Sequence, residues 1–534
     1  MYNFNNLDLI SRLYLRWEER KGLHPEESFV LYRWVHQDAE DRVWDEHEFK
    51  LYIEKSAGYI QSLGLKGGDV IGFQILREPY WLPLFLGALS QGLTVLLLND
   101  SYTTNELEYC LNDAQATLAF LPSKHCEALK TKSLLMRSSA IRLLATEVLE
   151  LEIDQSRPLN RVTDLSADSL AVIAYTSGTT GKPKGALIRH KDIIGTLNAL
   201  HQAWEWSPED RLVHTLPLFH IHGLFVAALG ALWASAELLM LTRFDAQEAL
   251  EAVEKYKGTV LMGVPTHHHR YLQIPHDQCP NLNSLRLVTS GSAPLTKEQF
   301  TEFKSKFGID IVERYGMTEV GIVLSAPLHG PLYPGSVGFP LPGVQAKVCD
   351  ALGKCLNHGE EGELHITSAS LCLGYHQRPQ ATAEAIYVDE AGHRWMRTGD
   401  LAVQDQEGRF WLKGRVSEMI ISGGLNVYPR EVEAALLEAG HPWVAEAAVI
   451  GVPDPEWGER VECFLTTHDS LCPSHEQLLD LLERSKSFLA GYKRPKKLHW
   501  ISGFPRNSMG KLQRFKLRER LLSADKEEGY KTQS

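Results

Sequence analysis

Residues 169–203 read SLAVIAYTSGTTGKPKGALIRHKDIIGTLNALHQA, which is an apolar segment, a polar loop and an amphipathic segment in that order. The first part, SLAVIAYT, is short, apolar and rich in β-branched and aromatic residues, which predicts a buried strand. The last part has apolar residues at three- and four-residue intervals, which predicts a helix. A strand that leads through a loop into a helix is the repeating unit of doubly wound α/β folds, where loops at the carboxyl ends of strands bind ligands.

The same order of elements recurs along the chain. Residues 69–98 read as strand DVIGFQIL, amphipathic helix YWLPLFLGALSQG and strand LTVLLL. TVLMGVPT followed by HHHRYLQ repeats the pattern, and so does LRLVTSGSAPLTKEQFTEFKSKF. Consecutive units of this kind predict a parallel sheet covered by helices on both faces.

The pattern of apolar and polar residues changes after about residue 340. DALGK, VDEAGHRWM and QDQEGRFWL carry turn signals between short apolar segments, which predicts antiparallel hairpins. The final section alternates helical and strand patterns in one α+β domain. We therefore predict an α/β protein with a large N-terminal domain of doubly wound layers, a small β-rich subdomain and a small mobile α+β C-terminal domain. The predicted bounds are 1–414 for the large domain with its subdomain at about 340–414, 415–417 for a hinge and 418–534 for the small domain.

Composition limits the functions open to the chain. Its 534 residues carry a formal charge of −12 without a long basic run, which argues against a nucleic-acid partner. Eight cysteines without a C-x-x-C pair and an N-terminus without a secretory signal favour a cytoplasmic location and reduced thiols. The most apolar run, residues 224–241, contains glycine, serine and glutamate and predicts a buried helix, so we expect no integral membrane segment. We expect a monomer or homodimer.

The loop at residues 175–186 has the composition of a phosphate-binding loop but lacks the G-x-x-x-x-G-K-[ST] spacing. Pro183 follows Lys182 where that loop would place a metal-binding hydroxyl. Hydroxyls, close-approaching backbone N–H groups and a lysine can nevertheless wrap the β- and γ-phosphates of a nucleotide. A surface turn is the alternative reading. The predicted phosphate-binding residues are Thr176, Ser177, Gly178, Thr179, Thr180, Gly181 and Lys184.

Four ordered motifs resemble those of the adenylate-forming superfamily, which includes acyl-CoA synthetases, peptide-synthetase adenylation domains and beetle luciferases. They are YTSGTTGKPKGA, RYGMTEVG, RTGDLAVQDQEGRFWLKGR and PRNSMGKLQR. The resemblance spans about residues 30–520. It implies an enzyme that joins a small carboxylic acid to ATP as an acyl-adenylate with release of pyrophosphate, and then transfers the acyl group to CoA, with Mg²⁺ as cofactor.

The resemblance also implies roles for single residues. Thr318 would donate to the α-phosphate, Glu319 would hold Mg²⁺ together with Thr180, and Lys511 would neutralise the carboxylate and the α-phosphate. Tyr315 and Gly316 would line the adenine site, and Asp400 and Arg415 would hold the ribose. Taken singly, Glu319 also suits a solvated charge at a helix start, Asp400 a turn and Lys511 a surface position.

Two successive reactions at one site need a change of geometry, which relatives achieve by rotating the small domain. The resemblance places the pivot at Ser417, where many members carry Asp or Lys. After rotation Ser422, Gly423 and Gly424 would line the path of the pantetheine arm of CoA.

The residues that select the acid substrate are expected beside the shared motifs. Arg314 immediately precedes Tyr315, at a position that is commonly small or uncharged in fatty-acid and aromatic-acid enzymes. A cation there would be costly in an apolar pocket and useful for a second carboxylate. An ion pair between Arg314 and Glu313 or another acid that only braces the loop is the alternative.

Several neighbouring segments resemble malonyl-CoA synthetases, among them LPLFHIHGLFVA, GVPTHHHRYL, SGSAPL and ERYGMTE. The resemblance implies a short dicarboxylate pocket bordered by His222, Arg270, Ser290, Arg314 and Met317. Ile221 and the continuation EVGIVLS depart from that pattern, so a substituted malonate such as methylmalonate stays open beside malonate. The run His267, His268, His269 predicts no metal site, because successive helical residues point in different directions.

Three other functions remain possible at this level. A medium-chain or aromatic acyl-CoA synthetase differs by its acyl pocket, and Arg314 is the residue that argues against it. A loader of carrier proteins differs only in its thiol partner. A nucleotide-binding protein without catalysis is the alternative of another class, and Glu319, Asp400 and Lys511 argue against it.

Overall fold

The structure is a computed structural model that describes residues 6–25, 28–36, 39–75, 77–135, 141–160, 165–176, 183–423, 425–468, 470–506 and 512–531. Its contacts divide the chain into two compact units, which are described separately below. The first holds residues 1–346 and 366–397, and the second holds residues 347–365 and 398–534.

The strands of the first part of the chain are β1 (Val30–Val35), β2 (Arg42–Asp45), β3 (Val70–Phe73), β4 (Thr94–Leu97), β5 (Leu118–Leu121), β6 (Arg142–Ala145), β7 (Leu170–Thr176), β8 (Lys184–Arg189), β9 (Arg211–His214), β10 (Glu237–Leu241), β11 (Val260–Gly263), β12 (Leu287–Ser290), β13 (Ile311–Met317), β14 (Gly321–Ser325) and β15 (Ser336–Pro340). Those that follow are β16 (Gln345–Cys349), β17 (Glu361–Thr367), β18 (Ile386–Val388), β19 (Arg394–Gln404), β20 (Phe410–Arg415), β21 (Ile420–Ser422), β22 (Leu425–Val427), β23 (Val444–Asp454), β24 (Gly458–Thr467) and β25 (Lys497–Trp500).

The helices of the first unit are α1 (Leu9–Leu23), α2 (Glu46–Ser62), α3 (Trp81–Ser90), α4 (Thr104–Asp113), α5 (Ser123–Leu135), α6 (Leu149–Gln155), α7 (His190–Ala203), α8 (Leu229–Trp233), α9 (Ala246–Tyr256), α10 (Pro265–Leu272), α11 (Lys297–Phe307) and α12 (Pro379–Ala385). The second unit contains α13 (Pro429–Gly440), α14 (His475–Ser485) and α15 (Arg514–Lys531).

Two largely parallel sheets organise the first unit. One has the strand order β6-β5-β3-β4-β7-β8, and only its β7–β8 pair is antiparallel. The other runs β15-β14-β13-β12-β11-β9-β10-β1-β2 within this unit and is parallel from β13 to β1. Non-consecutive neighbours joined through helices are the arrangement of a doubly wound fold, so the predicted α/β class is confirmed.

Helix α3 shows why the core of the first unit is so apolar. All ten of its residues, WLPLFLGALS, are buried, so the helix has no solvent-facing stripe. Gly87 on this helix lies so close to α2 that an added Cβ would come within 2.8 Å of the Ser56 Cβ. The sequence predicts an amphipathic helix here, and the structure corrects it to one covered on every side by other elements.

The apolar run at residues 224–241 forms two kinds of element. A π-helix spans His222–Ala228, α8 continues it, and β10 follows after a short turn. The predicted buried helix is therefore right for the first half and wrong for the second, because an apolar stretch alone does not distinguish a buried helix from a buried strand. Among the described residues, no helix is long and apolar enough to cross a bilayer.

The second unit is built mainly from antiparallel strands. Residues 400–404 of β19 pair with β20, and the turn between them is closed by the Asp405 carboxylate, which accepts from Arg409 N at 2.8 Å. A five-stranded sheet has the order β22-β21-β24-β23 with β25 parallel to β24. Its apolar side chains pack with α13 and α14, which confirms the predicted α+β character of the final section.

Candidate active site

The two ends of the predicted phosphate loop are paired with each other in the first sheet. Thr176 at the end of β7 is the antiparallel partner of Lys184 at the start of β8. The Lys184 ammonium lies 5.3 Å from the centre of the Tyr375 ring. Ser177, Gly178, Thr179, Thr180 and Gly181 lie outside the described residues. The loop ends therefore lie at the carboxyl edge of a parallel sheet, where the sequence predicts a ligand.

The YGMTE motif forms a tight turn between β13 and β14. Gly321 has φ +67°, and Gly316 sits so close to its carbonyl that a Cβ at residue 316 would collide with the Gly321 oxygen. Only glycine fits both positions, because one needs a left-handed backbone and the other a close backbone approach. The turn places Thr318 and Glu319 at its tip and keeps Glu319 buried.

Glu319 faces the start of the phosphate loop. Its Oε1 accepts from the Tyr375 hydroxyl at 2.9 Å and from Thr176 Oγ1 at 3.5 Å. The alternative of a solvated charge at a helix start is wrong, because Glu319 is buried and lies in a hairpin turn. A buried carboxylate whose neighbours are hydroxyls offers the hard oxygen ligand that Mg²⁺ prefers, so the residues present fit this cofactor.

Residues that the sequence analysis missed hold both ends of the phosphate loop against α4. The Tyr175 hydroxyl donates to the Asp113 carboxylate at 2.7 Å, and the Tyr109 hydroxyl donates to Pro183 O at 2.9 Å. Arg378 pairs with Asp113 at 2.6 Å. Tyr109 and Asp113 lie four residues apart on α4 and therefore on one face of this helix. That spacing is the feature of the sequence that could have indicated a shared contact with the loop.

Arg314 on β13 is buried, and its Nε and Nη2 have no hydrogen-bond partner among the described residues. Burial lowers the pKa of Arg314 to about 9. Among the described residues no carboxylate pairs with it. Glu313 accepts instead from Gly335 N at 2.8 Å, and burial raises the pKa of Glu313 to about 7. Successive strand residues point to opposite faces, so the alternative of a Glu313–Arg314 ion pair is wrong.

The loop after β12 makes room for this guanidinium. A Cβ at Gly291 would collide with Arg314 Cζ, so glycine is required for the arginine to lie there. The flanking Ser290 hydroxyl is buried and finds no partner within the described ranges, and Ser292 Oγ lies 3.5 Å from His222 Nδ1. The segment SGS therefore brings two hydroxyls to the same place as the buried cation.

His222 starts the π-helix and joins this group. Its Nε2 is buried and has no partner in the part of the chain that the structure describes. Burial and the charge of Arg314 hold the pKa of His222 well below its usual range. Gly223 permits the sharp entry into the π-helix, because a Cβ there would collide with Pro217 O. His214, which the sequence analysis missed, fixes this entry by donating from Nε2 to Gly223 O at 2.8 Å. Short π-helices often mark functional sites.

Two other predicted pocket residues behave differently. Met317 ends β13 and is half-buried beside the YGMTE turn. Arg270 is exposed on α10 with its guanidinium 5.5 Å from the centre of the Phe244 ring, so the structure does not bring it into the buried group. His267 stacks on the same ring at 3.8 Å, whereas the His268 Nε2 donates to Thr289 O at 3.1 Å. The histidine run thus points in several directions, as the helical spacing predicts.

The second unit brings together the two residues predicted to hold the ribose. Asp400 and Arg415 are register partners on β19 and β20, and Arg415 Nε lies 2.8 Å from Asp400 Oδ1. Asp400 lies within a strand, so its reading as a turn residue is wrong. Tyr315 and Gly316, predicted for the adenine, lie on β13 in the first unit.

The predicted CoA residues lie at the end of β21. The Ser422 side chain is buried without a partner for its hydroxyl, and Gly423 with φ +60° donates from N to Trp457 O at 2.8 Å. Gly424 and Lys511 lie outside the described residues. Ser417, the predicted pivot, lies in a short 3₁₀-helix that follows β20 directly.

The residues around the predicted pivot show a connection that the sequence analysis missed. Arg514, three positions after Lys511, pairs with Glu418 at 3.1 Å and with Glu433 at 2.5 Å. Glu418 directly follows Ser417. The start of α15 is therefore tied to the residue beside the predicted pivot by a half-buried ion pair.

Comparison with known families decides the identity of the two units. Residues 19–376 match the AMP-binding enzyme family, and residues 431–511 match the AMP-binding enzyme C-terminal domain. The chain belongs to the AMP-binding enzyme family. The resemblance to adenylate-forming enzymes is thereby confirmed, and the alternative of a nucleotide-binding protein without catalysis is not retained.

Individual relatives of this AMP-binding enzyme cover most of its length. The mitochondrial malonate–CoA ligase ACSF3 of Mus musculus is 34% identical over 454 residues, which is 78% of this chain and 75% of the relative. The sulfoacetate–CoA ligase of Cupriavidus necator is 34% identical over 463 residues, which is 85% of this chain and 88% of the relative. The crystal structure of ATP-bound MatB from Rhodopseudomonas palustris superimposes with a TM-score of 0.86 at 32% identity and covers 96% of this chain and 99% of that one. The chain is an AMP-forming acid–CoA ligase that uses ATP and CoA.

Two substitutions test the carboxylate that faces the phosphate loop of this ligase. Glu319→Gln should lower the rate of acid-dependent ATP–pyrophosphate exchange by ~10²-fold, because an amide keeps the shape but loses the charge for Mg²⁺. Tyr375→Phe should lower it by about tenfold, because it removes one hydrogen bond to that carboxylate. Exchange rates across a range of Mg²⁺ concentrations measure both effects.

Tyr387→Phe, on the half-exposed strand β18, is the matched control and should leave the exchange rate unchanged. If Glu319→Gln needs no more Mg²⁺ than the unaltered ligase, the carboxylate has another role.

Proposed function

We propose that this ligase activates malonate. In the first half-reaction one carboxylate of malonate attacks the α-phosphorus of ATP, pyrophosphate leaves and malonyl-adenylate forms. In the second, the thiol of CoA attacks the malonyl carbonyl, and malonyl-CoA and AMP leave. The observation that carries the proposal is Arg314, a wholly buried arginine whose Nε and Nη2 have no partner in the described structure.

The free energy of burying a charge explains why Arg314 points to an anion. An ionised group taken out of water costs several kcal/mol unless a counter-charge and hydrogen bonds compensate it. Burial lowers the pKa of Arg314 to about 9, which is the sign of this uncompensated cost. A second carboxylate on the substrate would supply the missing counter-charge and accept two parallel hydrogen bonds from the guanidinium. An acid with an apolar tail would leave that cost unrelieved, which argues against a medium-chain or aromatic substrate.

The hydroxyls and imidazole around Arg314 suit the same carboxylate. Ser290 and His222 each present a buried polar atom without a partner, and Ser292 Oγ lies next to His222. His222 is neutral at pH 7 because its pKa is held well below its usual range. A neutral imidazole can donate one hydrogen bond without adding a second unpaired charge. The group therefore provides a single positive charge with several donors, which matches one carboxylate.

The remaining residues take the roles that the family resemblance implies. Thr318 donates to the α-phosphate, and Glu319 holds Mg²⁺ with Thr180. Mg²⁺ neutralises charge on the phosphates when it is bound. Asp400 and Arg415 hold the ribose, and Lys511 neutralises the reacting carboxylate and α-phosphate. The arrangement stabilises the negative charge that builds up as the carboxylate approaches the α-phosphorus.

Rotation of the small domain about Ser417 would move Lys511 away from the reacting carboxyl group. Ser422, Gly423 and Gly424 would then line the path by which CoA reaches it. The ion pairs of Arg514 support this proposal, since they tie the start of α15 to Glu418 beside the pivot. A cytoplasmic location and a monomeric or homodimeric state remain predictions, as does free CoA rather than a carrier-protein thiol.

A panel of acids tests the substrate. AMP release with ATP and CoA should be fastest with malonate, and propionate, which replaces the second carboxylate by a methyl group, should be slower by ~10²-fold or more. Methylmalonate measures how much room lies beside the methylene carbon, and sulfoacetate asks whether a sulfonate can replace the carboxylate. Release of AMP with octanoate or benzoate but not with malonate would overturn the assignment.

A further inference from the structure

Two cysteines face each other across a hairpin of the second unit. Cys349, the last residue of β16, forms an antiparallel bridge with Cys355. Asp350 N donates to Lys354 O at 2.9 Å on one side of this pair, and Leu356 N donates to Val348 O at 2.9 Å on the other. The backbone bonds thus flank the two cysteines without joining them. Cys349 and Cys355 are therefore a non-hydrogen-bonded cross-strand pair.

This type of pair meets the distance requirement of a disulfide. Cα atoms in a non-hydrogen-bonded pair lie ~4.5 Å apart, within the ~4.4–6.8 Å that disulfides span. Residues directly opposite each other on neighbouring strands also project to the same face of the sheet. Both thiols are free in the structure. The register of the hairpin therefore places the two cysteines as a pair of the type whose Cα separation a disulfide can span.

The two thiols differ in access. Cys355 is exposed, whereas Cys349 is buried and its burial raises its pKa to about 11. A reagent from solution therefore reaches Cys355 first, and Cys349 is placed to react with Cys355 Sγ once that sulfur carries a mixed disulfide. This is the division of roles between an attacking and a resolving cysteine.

We propose that Cys349 and Cys355 are a thiol–disulfide exchange site that forms a reversible cross-strand disulfide with a low-molecular-weight disulfide such as glutathione disulfide. The Cys355 thiolate attacks one sulfur of glutathione disulfide, which gives a mixed disulfide and releases one glutathione thiolate. The Cys349 thiolate then attacks Cys355 Sγ, forms the Cys349–Cys355 bond and releases the second glutathione. Two protein thiols are oxidised and one glutathione disulfide is reduced to two thiols, so electrons and protons balance.

The hairpin lies beside the segment that carries Asp400. Gly362 on β17 packs so closely on β16 that a Cβ there would collide with Cys349 O. The next residue, Glu363, accepts from Gly399 N at 2.9 Å, directly before Asp400. The exchange itself involves no acid, ATP or CoA. Its test is therefore independent of the proposed substrate.

Mass spectrometry of the full chain tests the exchange. The reduced protein is incubated with glutathione disulfide in the absence of oxygen, remaining thiols are blocked with N-ethylmaleimide, and the chain is cut with trypsin without reductant. Cleavage after Lys347 and Lys354 places the two cysteines on different peptides. These peptides should be recovered linked and should separate on reduction. Because Cys372 shares the peptide of Cys355, fragment ions are used to assign the link to Cys355.

Three variants make the result specific. Cys349→Ser should accumulate glutathione on Cys355, because the resolving thiol is missing, and Cys355→Ser should abolish the link. Cys472→Ser removes another exposed cysteine and should leave the link intact. Glutathione that stays on Cys355 in the unaltered chain, or a chain in which Cys355 remains unmodified, would overturn the proposal.

Discussion

Replacing Arg314 with methionine should lower kcat/KM for malonate by ~10²- to 10³-fold, since breaking a buried charge pair costs about 3–5 kcal/mol. The partner lost in this case belongs to the substrate, whose second carboxylate would enter a pocket without a cation. The same change should leave kcat/KM for propionate unaltered or raise it, because propionate gains nothing from the arginine. The ratio of the two values, measured by AMP release, should therefore fall sharply.

The free energy of unfolding should move in the opposite direction to activity. Without ligand, Arg314 is a buried charge whose Nε and Nη2 lack partners. Replacement of such a group by an apolar side chain of similar length is often neutral or stabilising. Arg314→Met should therefore unfold at the same denaturant concentration as the unaltered ligase or at a higher one. Activity falls while stability does not, which separates loss of a substrate contact from misfolding.

Arg77 provides the control, because it is a half-buried arginine of the same unit whose guanidinium, unlike that of Arg314, donates to backbone carbonyls. Its guanidinium donates to His214 O at 3.2 Å, to Leu241 O at 2.8 Å and also to Leu216 O. Arg77→Met leaves these buried carbonyls unsatisfied at a cost of about 1–3 kcal/mol each, so it should lower the free energy of unfolding. If Arg314→Met is destabilised as strongly as Arg77→Met, Arg314 has a structural role.

Replacing Lys511 with alanine should lower malonate-dependent ATP–pyrophosphate exchange by ~10²- to 10³-fold, the loss typical when one preorganised donor to developing negative charge is removed. Formation of malonyl-CoA from supplied malonyl-adenylate and CoA should stay within about threefold of the unaltered rate, because the proposed geometry of that step does not use this lysine. Exchange of labelled pyrophosphate measures the first half-reaction, and thioester formation measures the second.

Lys516→Ala is the control for a lysine of the same segment. Its side chain is exposed on α15, five residues after Lys511, and neither half-reaction should change. Equal loss of both half-reactions in Lys511→Ala, with an unchanged unfolding transition, would contradict a role limited to adenylation.

Arg314 illustrates how much of a residue's environment can be predicted from the sequence. A lone arginine before Tyr315 predicts a contact with an anionic substrate, with an ion pair to another acid or to the adjacent Glu313 as the alternative. The strand geometry of β13 separates their side chains to opposite faces. Gly291 lets the guanidinium lie against the loop after β12, because a Cβ there would collide with Arg314 Cζ. Strand geometry and packing, which the order of residues does not specify, therefore separate Arg314 from the adjacent acid.

Arg270 depends on helix rotation, which the local pattern does not specify. Its position in GVPTHHHRYL predicts a place beside the acyl pocket, and in the structure it is exposed on α10 with its guanidinium 5.5 Å from the centre of the Phe244 ring. The bracing residues of the phosphate loop were missed for a similar reason, because Asp113 and Tyr175 are 62 residues apart and meet only when α4 packs beside β7. Contacts between distant segments depend on helix rotation and strand order, which local patterns do not specify.

The sequence by itself determined the α/β class, the family and the motif residues, because strand and helix periodicities and short motifs are local properties of the chain. The tertiary structure decided which polar groups lost their water and which found partners. The resemblance already implied that Arg314 and His222 border a dicarboxylate pocket, and the structure added that both are buried with polar atoms that lack partners among the described residues. Cys349 and Cys355 became a pair only through the register of one hairpin. Burial and register depend on segments that folding brings together from across the chain. The free-energy cost of burying a charge and the reactivity of a thiol therefore depend on the folded structure.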